Sequence, residues 1–341
     1  MTKPGICALL FFLLLAVTAS ANPYLPKPGE PPTKLRLATS AVTGGFVHLY
    51  SALDYGIFKK YGFDCEHVYI RGQSPALAAL ANDQVQFNYG AADGSLPGLA
   101  AGVEAKLIAS PLVKLPYVLV ARKEIRRPED LKGKSIGVTR PGDLSARLSR
   151  QVVRKFGLTT DDVTIRPIGG SQTERYQAMV GNVVQAILVT PPLDIRAKSD
   201  GFNVIYRLID LEIPFIYSSL ITNYKMLHDR PDTVQRMVAA LAEAVYFVEK
   251  NPDKAKAAIA KAMRVKDDDA LQSSYNVYAK EIVDRTMVVP GKSVSEAVEI
   301  ARETGTVVRR KPEELYDNSF VNNLEKSGFL KEIWGSENYR R

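Results

Sequence analysis

Short apolar runs and alternating apolar positions, both typical of strands, recur along the chain and are followed by apolar residues at helical spacing. In residues 34–116 the predicted strands cover 34–39, 63–70, 85–89 and 106–110. After the first strand, Phe46, Leu49, Leu53 and Ile57 recur at the spacing of one helix face. A strand, a helix and a second strand in this order form the βαβ unit of a parallel sheet. The pattern therefore predicts an α/β fold.

A second α/β series follows residues 117–122, which are predicted to cross between two lobes. Its strands are predicted at 136–139, 163–168, 185–189 and 203–208, with a return strand at 215–222. Predicted helices then follow at 232–251, 252–263, 268–283, 294–305 and 312–327. We therefore predict a first lobe from residues 34–116 and 225–341 and a second lobe from residues 117–224. Two such lobes form a cleft at the carboxyl ends of their strands, where ligands of α/β sheets bind.

The N-terminus has the pattern of a cleavable signal peptide. Lys3 is followed by an apolar run over residues 6–17 and by small residues at 19–21, which predict cleavage after Ala21. The apolar run is short for a membrane span, and an uncleaved anchor is the alternative. Residues 22–33 contain five prolines and are predicted to form an extended tail. The sequence thus predicts a soluble protein that is exported to the periplasm.

Composition and charge narrow the class of protein further. The 341 residues are 46% hydrophobic and 24% charged, which argues against a disordered, collagen-like or disulfide-framework protein. The formal net charge is +8, but the basic residues are scattered, so no nucleic-acid partner is expected. Cys65 is the single cysteine that follows the predicted leader, so no internal disulfide is predicted. The basic excess attracts anionic ligands only mildly.

The sequence lacks the motifs of several common enzyme and cofactor chemistries. No GxGxxG follows a predicted strand, and GxxxxGK[ST] does not occur. His48, His67 and His228 are far apart in the sequence and lack metal-ligand spacing. We therefore predict no catalytic residues, no metal site and no cofactor.

Small and polar residues occupy several predicted strand-to-helix junctions, where the free amides of a helix N-terminus attract anions. These junctions are residues 40–45, 71–75, 90–95, 139–145 and 169–173. Arg140 is predicted either to bind a carboxylate, sulfonate or phosphate, or to form a surface ion pair. Asp93 either receives a ligand amine or caps its own helix, and Tyr217 either stacks on a ligand or fills the return strand. Ordinary capping and turn chemistry is the alternative for each junction.

Three further segments resemble motifs of a known family. Residues 53–63 (LDYGIFKKYGF) resemble its G-x-F-x-K-x-G-L segment, and residues 128–138 (PEDLKGKSIGV) are similar to the opening of its second lobe. Residues 177–187, followed by Thr-Pro-Pro at 190–192, resemble its AL-x-x-G-x-V-D-A step. The family is the nitrate/sulfonate/taurine group of ABC-importer solute-binding proteins, also called SsuA/THI5-like or NMT1-like. The resemblance covers residues 34–330.

This resemblance implies a type II periplasmic-binding fold, in which two lobes close over a small molecule and the closed form docks on a membrane permease. It also implies ligand contacts at the strand ends of both lobes. Together with the junction residues, the expected ligand contacts are Ser40, Thr43, Gly44, Gln73, Ser74, Ala92, Asp93, Arg140, Asp143, Ser145, Ser171, Gln172, Thr190 and Tyr217.

These features predict a periplasmic substrate-binding component of an ABC importer, and not an enzyme. The expected partners are a small anion, such as a sulfonate or carboxylate, and an inner-membrane permease. The protein itself is expected to be a monomer. One alternative is an enzyme on the same fold, similar to the fungal pyrimidine synthases. A second is a sensor partner that presents its ligand to a membrane receptor kinase.

Overall fold

A computed structural model describes residues 22–141, 143–213, 215–335 and 338–340. The predicted leader and its cleavage site lie outside the described residues. The described strands are β1 (Thr33–Thr39), β2 (Phe63–Tyr69), β3 (Phe87–Gly90), β4 (Ala105–Leu112), β5 (Val118–Ala121), β6 (Ser135–Val138), β7 (Thr164–Pro167), β8 (Ala186–Val189), β9 (Asn203–Arg207) and β10 (Ser218–Asn223).

Helices cover both sheets and make up most of the C-terminal third. They are α1 (Val47–Asp54), α2 (Ile57–Lys60), α3 (Gln73–Ala81), α4 (Ala92–Ala100), α5 (Leu144–Lys155), α6 (Gln172–Val180), α7 (Leu193–Ser199), α8 (Tyr224–Asp229), α9 (Pro231–Lys250), α10 (Pro252–Met263), α11 (Asp268–Asn276), α12 (Gly291–Glu303), α13 (Ser319–Lys326) and α14 (Phe329–Trp334). A π-helical turn, Val277–Glu281, follows α11. None of the described helices is both long and apolar enough to cross a membrane.

The strands form two five-stranded sheets, ordered β2-β1-β3-β10-β4 in the first lobe and β7-β6-β8-β5-β9 in the second. β1 is parallel to β2 and β3, and β6 is parallel to β7 and β8. In contrast, β10 and β5 run antiparallel to their neighbours. The predicted α/β fold class is confirmed. Each sheet is mixed because one of its strands follows directly after the chain has crossed from the other lobe.

The position of β10 corrects the predicted boundary between the lobes. The sequence analysis assigns residues 117–224 to the second lobe, but β10 pairs with β3 and β4 of the first sheet. The chain therefore returns to the first lobe within residues 208–217, and not near residue 225. All six residues of β10 are buried, so their pattern indicates a buried strand without indicating the sheet to which that strand belongs.

Each sheet carries a core on both faces, because successive side chains of a strand point to opposite sides. In β5, Leu119 and Ala121 join the apolar cluster under α5, whereas Val118 and Val120 join the cluster under α6 and α7. In the first lobe, α1, α2 and α9 cover one face of the sheet, and α3, α4 and α12 cover the other. The two sheets are thereby held as separate layers with their strand ends free to face each other.

The predicted tail, residues 22–33, packs against the first lobe. The Tyr24 ring meets the Phe329 ring edge-on at 5.3 Å between centroids, and its hydroxyl donates to Ser327 Oγ at 2.8 Å. Arg236 forms an ion pair with Glu30 at 2.7 Å. The tail contains no strand before Thr33, as expected from its prolines. It is nevertheless docked on the fold and covers part of α14.

Candidate functional site

A cleft lies between the lobes where the carboxyl ends of β1, β3, β6 and β8 face each other. Its larger part, which we call the main chamber, has a volume of about 950 Å³ and runs from Ser40 and Thr43 on the first lobe to Gln172 and Thr190 on the second. A second space of about 540 Å³, the side chamber, continues from it towards α5 and α12. The two chambers share Asp93, Tyr117 and Gln172 in their walls, so they lie next to each other. This is where ligands of α/β sheets are expected to bind.

On the first lobe, Tyr217 lines the main chamber and is part of a stacked pair of tyrosines. Tyr217 stacks on Tyr278 with 5.7 Å between ring centroids, and its hydroxyl lies 3.3 Å from Thr43 Oγ1. Glycines make room for both rings: a Cβ on Gly44 would lie 2.8 Å from Tyr278 Cε2, and one on Gly45 would overlap Tyr217 Cε1. Burial raises the pKa of the Tyr217 hydroxyl, so this group stays protonated at neutral pH and can donate a hydrogen bond.

Four of the predicted contact residues line neither chamber: Gly44, Gln73, Ser74 and Ala92. Gly44 lies against Tyr278, and Ala92 is buried in the core of the first lobe. The Gln73 amide accepts a hydrogen bond from Ser40 and donates to Asn88 Oδ1 at 3.1 Å and to Ser95 Oγ at 2.5 Å. Gln73 therefore fixes the end of β1 to α4 from behind the wall, which makes it a positioning residue in this structure.

Ser74 occupies a different place from the one that the sequence suggests. The sequence Gly72-Gln73-Ser74-Pro75 favours a helix capped by Ser74, with Pro75 as its first residue. The structure begins α3 at Gln73, with Gly72 as the capping residue at φ 95° and no side-chain cap. A glycine adopts this backbone conformation without strain, so the helix starts earlier and Ser74 is displaced from the junction.

On the second lobe, several predicted contact residues line the cleft and also cap helices. Asp143 Oδ1 accepts from the Ala146 amide at 3.2 Å and from Ser145 Oγ at 2.7 Å, and its Oδ2 accepts from the Arg140 amide at 3.1 Å. Ser171 and Glu174 form a capping box at the start of α6. These side chains therefore cap their helices and also line the cleft, so capping does not prevent contact with a ligand.

Gln172 joins the start of α6 to the end of β8. Its Oε1 accepts from the Thr190 amide at 2.8 Å and lies 3.3 Å from the Thr190 hydroxyl. The rest of the amide faces the boundary between the two chambers, because Gln172 lines both. Thr190 and Gln172 thus present a hydroxyl and an amide to a ligand, opposite Thr43 and Tyr217.

Two arginines that the sequence analysis did not select line the side chamber beside Arg140. Arg175 is 5% exposed and donates to Thr139 Oγ1 at 2.7 Å and to the Gly170 carbonyl at 2.9 Å. Arg147 is half-buried. Among the described residues, the buried Nε atoms of Arg147 and Arg175 have no hydrogen-bond partner. Burial lowers the pKa of both guanidinium groups, although arginine remains charged at neutral pH.

The position of these two arginines in their helices explains why they reach the side chamber. Arg147 is the fourth residue of α5 and Arg175 is the fourth residue of α6. Helical side chains tilt towards the helix N-terminus, so a long side chain at the fourth position reaches back to the strand end that precedes the helix. The predicted junctions, residues 139–145 and 169–173, end before Arg147 and Arg175 and therefore do not include them. Arg140, which was selected, is exposed at the mouth of the side chamber.

Asp93 lies in the first turn of α4 at the wall shared by the two chambers. Burial raises the pKa of its carboxyl group, while a hydrogen bond from the Gly94 amide and the positive charge of Arg147 act in the opposite direction. Its negative charge is thus partly met by its own helix start. The capping residue of α4 is Ala91, which has no side-chain cap, and the Asp93 carboxylate lies in the first turn at the cleft wall.

Apolar side chains complete the main chamber from elements far apart in the sequence. They are Phe46, Leu193, Ile195, Phe215, Met263 and Val265. Met263 and Val265 come from the end of α10 and the loop after it. No strand end precedes them, so the sequence offers no signal that these residues reach the cleft.

Comparisons with known proteins agree with this architecture. The NMT1/THI5-like family profile matches residues 44–255. A putative binding protein of Brucella suis biovar 1 is 27% identical over 228 residues, which cover 63% of this chain and 66% of that protein. A putative ABC transporter periplasmic binding protein of Brachyspira hyodysenteriae is 27% identical over 212 residues, with 58% and 60% covered. The chain therefore spans somewhat less than two thirds of the length of the curated relatives that it matches.

Solved structures show the same fold at low sequence identity. The periplasmic aliphatic sulphonate binding protein SsuA of Escherichia coli aligns with a TM-score of 0.68 at 16% identity, covering 84% of this chain and 93% of that chain. The desulfurization enzyme DSZB aligns with a TM-score of 0.64 at 16% identity, covering 86% and 99%. The chain thus has the periplasmic-binding-protein fold, which is found in binding proteins and also in an enzyme.

Proposed function

The chain belongs to the NMT1/THI5-like family, and on that premise we propose that it is the periplasmic substrate-binding component of an ABC importer. It captures a small anionic molecule between its two lobes and delivers it to a membrane permease. The observation that carries the proposal is the cleft itself. Hydroxyl and amide groups from both lobes line a chamber of about 950 Å³, and three guanidinium groups of the second lobe line the adjacent chamber.

Capture requires the lobes to move relative to each other about the two crossings, residues 113–117 and 208–217. Thr43 and Tyr217 lie on one wall and Gln172 and Thr190 on the other, so a ligand that touches both walls favours the arrangement in which the lobes are close. Closure also expels water, which strengthens each polar contact inside the cleft. The protein in this state is then the form that a permease recognises.

The proposed location is the periplasm. It rests on the charged start, apolar run and small residues within residues 1–21, and on the name of the Brachyspira relative as a periplasmic binding protein. We propose that the exported chain acts as a monomer, since one chain supplies both walls of the cleft.

The alternative is an enzyme, since the fold also occurs in DSZB. Nucleophilic catalysis needs a reactive side chain in the cleft. Cys65, the cysteine that the structure describes, lies in β2, lines neither chamber, and has a pKa that burial raises to about 12. Its thiol is therefore unsuited to attack a ligand in the cleft, which argues against catalysis by a cysteine.

The test is a ligand screen on purified protein that has been unfolded and refolded to remove any carried ligand. The panel contains sulfonates, carboxylates, nitrate, aromatic acids, pyrimidines and amines, and unfolding temperature is the readout. A ligand at 100 times its dissociation constant stabilises the folded state by about 2.7 kcal/mol, which raises the unfolding temperature by a few degrees. Mass spectrometry of the released ligand should find it chemically unchanged; conversion to a product would establish the enzyme instead.

A further inference from the structure

The two chambers of the cleft differ in their chemistry. The main chamber has an apolar wall, made by Phe46, Leu193, Phe215, Met263, Val265 and the Tyr217 ring. Elsewhere it is lined by hydroxyl and amide side chains, by Asp267 and by the Arg196–Asp200 ion pair. The side chamber carries three guanidinium groups, those of Arg140, Arg147 and Arg175. Because Asp93, Tyr117 and Gln172 belong to both walls, the two spaces are adjacent.

The guanidinium end has unused hydrogen-bonding capacity. Arg175 is 5% exposed, and the oxygens to which it donates, those of Thr139 and Gly170, are both neutral. Its Nε and that of Arg147 are buried without a partner among the described residues. A buried donor without a partner is costly, and a buried charge more so. A carboxylate or sulfonate supplies several acceptor oxygens in the geometry that guanidinium groups prefer.

The acidic side chains nearby do not fill this need. Asp143 already accepts three hydrogen bonds at the start of α5, from Ala146, Ser145 and Arg140. Asp93 is drawn to the start of α4 by the Gly94 amide. Two carboxylates and three guanidinium groups line the side chamber. The charges of Glu303 and Glu174 also act on Arg147 and Arg175, but neither arginine forms an ion pair among the described residues.

The main chamber sets the size and polarity of the rest of the ligand. Its volume of about 950 Å³ is at the upper end of the range for organic ligand pockets, which is about 300–1,000 Å³. An inorganic anion or a two-carbon acid would leave most of this space and its apolar wall uncovered. An aromatic or branched apolar group would cover Phe215 and Met263, which are partly exposed, and remove their surface from water.

We propose, resting on the binding function proposed above, that the ligand is an amphipathic organic anion. Its carboxylate or sulfonate head binds Arg175 and Arg147 in the side chamber, and its aromatic or branched apolar body lies in the main chamber. Arg175 and Arg147 then determine the selection of charge, and the wall around Phe215 and Met263 determines the selection of size.

Calorimetric titration of the refolded protein with matched compounds tests this inference. The probes are 2-naphthoate and naphthalene-2-sulfonate, the neutral 2-naphthalenemethanol, and the small anions acetate, methanesulfonate, nitrate and taurine. Several branched aliphatic and aromatic acids of similar size extend the amphipathic set. At least one amphipathic anion should bind ten-fold or more tightly than both its neutral counterpart and its isolated head group.

Variants locate the head group. Arg147→Gln and Arg175→Lys should each weaken binding of the amphipathic anion about ten-fold or more while leaving any weak binding of the neutral compound unchanged. Arg154→Gln removes the same charge from an exposed position on α5 and should leave binding unchanged. Circular dichroism and thermal unfolding identify a variant that fails to fold, and Arg147→Gln keeps the test open if Arg175→Lys is that variant.

The outcomes separate the ligand class from the function itself. If nitrate, taurine, an amine or the neutral compound binds as tightly as every amphipathic anion, the ligand class is wrong and the binding function stands. The same conclusion follows if the arginine variants bind the amphipathic anion as the unmodified protein does. If no compound of any class binds, the proposed binding function fails and the ligand class with it.

Discussion

His48 is a buried histidine whose ring contributes to stability only in its neutral form. It lies in α1 with no exposed surface, and neither ring nitrogen has a hydrogen-bond partner among the described residues. Burial lowers its pKa from 6.5 to about 3. Between these values the unfolded chain binds a proton that the folded chain excludes. Its contribution is therefore complete above pH 6.5 and is lost as the pH falls, by about 1.4 kcal/mol per pH unit.

The variant His48→Leu should remove this pH dependence, because leucine has a similar size and no titrating group. Urea unfolding of the protein and the variant at pH 7, 6, 5 and 4 gives the comparison. The variant should lose less stability than the unmodified protein over this range, by about 1.4 kcal/mol per unit. His228→Leu, at an exposed side chain, is the matched control. An unchanged slope in His48→Leu would mean that the folded protein accommodates the charged ring.

At the residue scale, the sequence predicts the cleft-lining residues that directly follow a strand. Ser40, Asp93 and Ser171 fall at such junctions and line the cleft. Arg147 and Arg175 were not predicted as cleft residues because they lie inside helices. Only the tilt of their side chains brings them back to the strand end. Met263 and Phe215 were not predicted because tertiary packing places them at the main chamber, and no local sequence pattern indicates that position.

At the element scale, Asp143 organises the start of α5 and with it the side chamber. Its carboxylate caps the helix through Ala146 and also accepts from Ser145 and from the Arg140 amide. Asp143→Ala should lower the free energy of unfolding by about 0.5–2 kcal/mol, as for other N-cap losses. Asp143→Asn keeps an acceptor at the cap and should lose much less. Urea unfolding of both variants measures the difference, and equal losses would show that charge, not capping, carries the effect.

Elements with strong local signals were predicted well, and their assembly was not. The bounds of α10 match the prediction of 252–263 because Pro252 starts the helix and the apolar spacing ends at Met263. The strand β10 was also recognised, but its sheet was assigned incorrectly. Pairing depends on long-range contacts with β3 and β4, and a fully buried strand carries no information about which neighbours it will have.

At the scale of the whole molecule, the lobes touch beside the crossings as well as across the cleft. Ser273 Oγ in α11 donates to Asp194 Oδ2 in α7 at 3.1 Å, and the Tyr278 hydroxyl donates to the Pro191 carbonyl at 3.3 Å. Arg207 of β9 forms an ion pair with Glu281 of the π-helical turn. These contacts hold the second lobe near the first. Neither Arg207 nor Glu281 lines the main chamber. The strength of these contacts therefore contributes to how often the lobes are close enough to bind a ligand together.

Glu281→Lys tests this link because it places two positive charges opposite each other where an ion pair joins the lobes. The pair is partly exposed, so its loss is worth about 0.2–1 kcal/mol, and repulsion adds a similar amount. Because apparent affinity scales with the fraction of molecules whose lobes are close, the dissociation constant of any ligand found in the screen should rise about two- to ten-fold.

The double variant Glu281→Lys with Arg207→Glu restores the pair with reversed charges and should recover most of the affinity. Glu299→Lys, which breaks a pair within α12 alone, should leave affinity unchanged. An equal loss in both single variants would assign the effect to net charge, and failure of the double variant to recover would remove the ion pair from the control of lobe position.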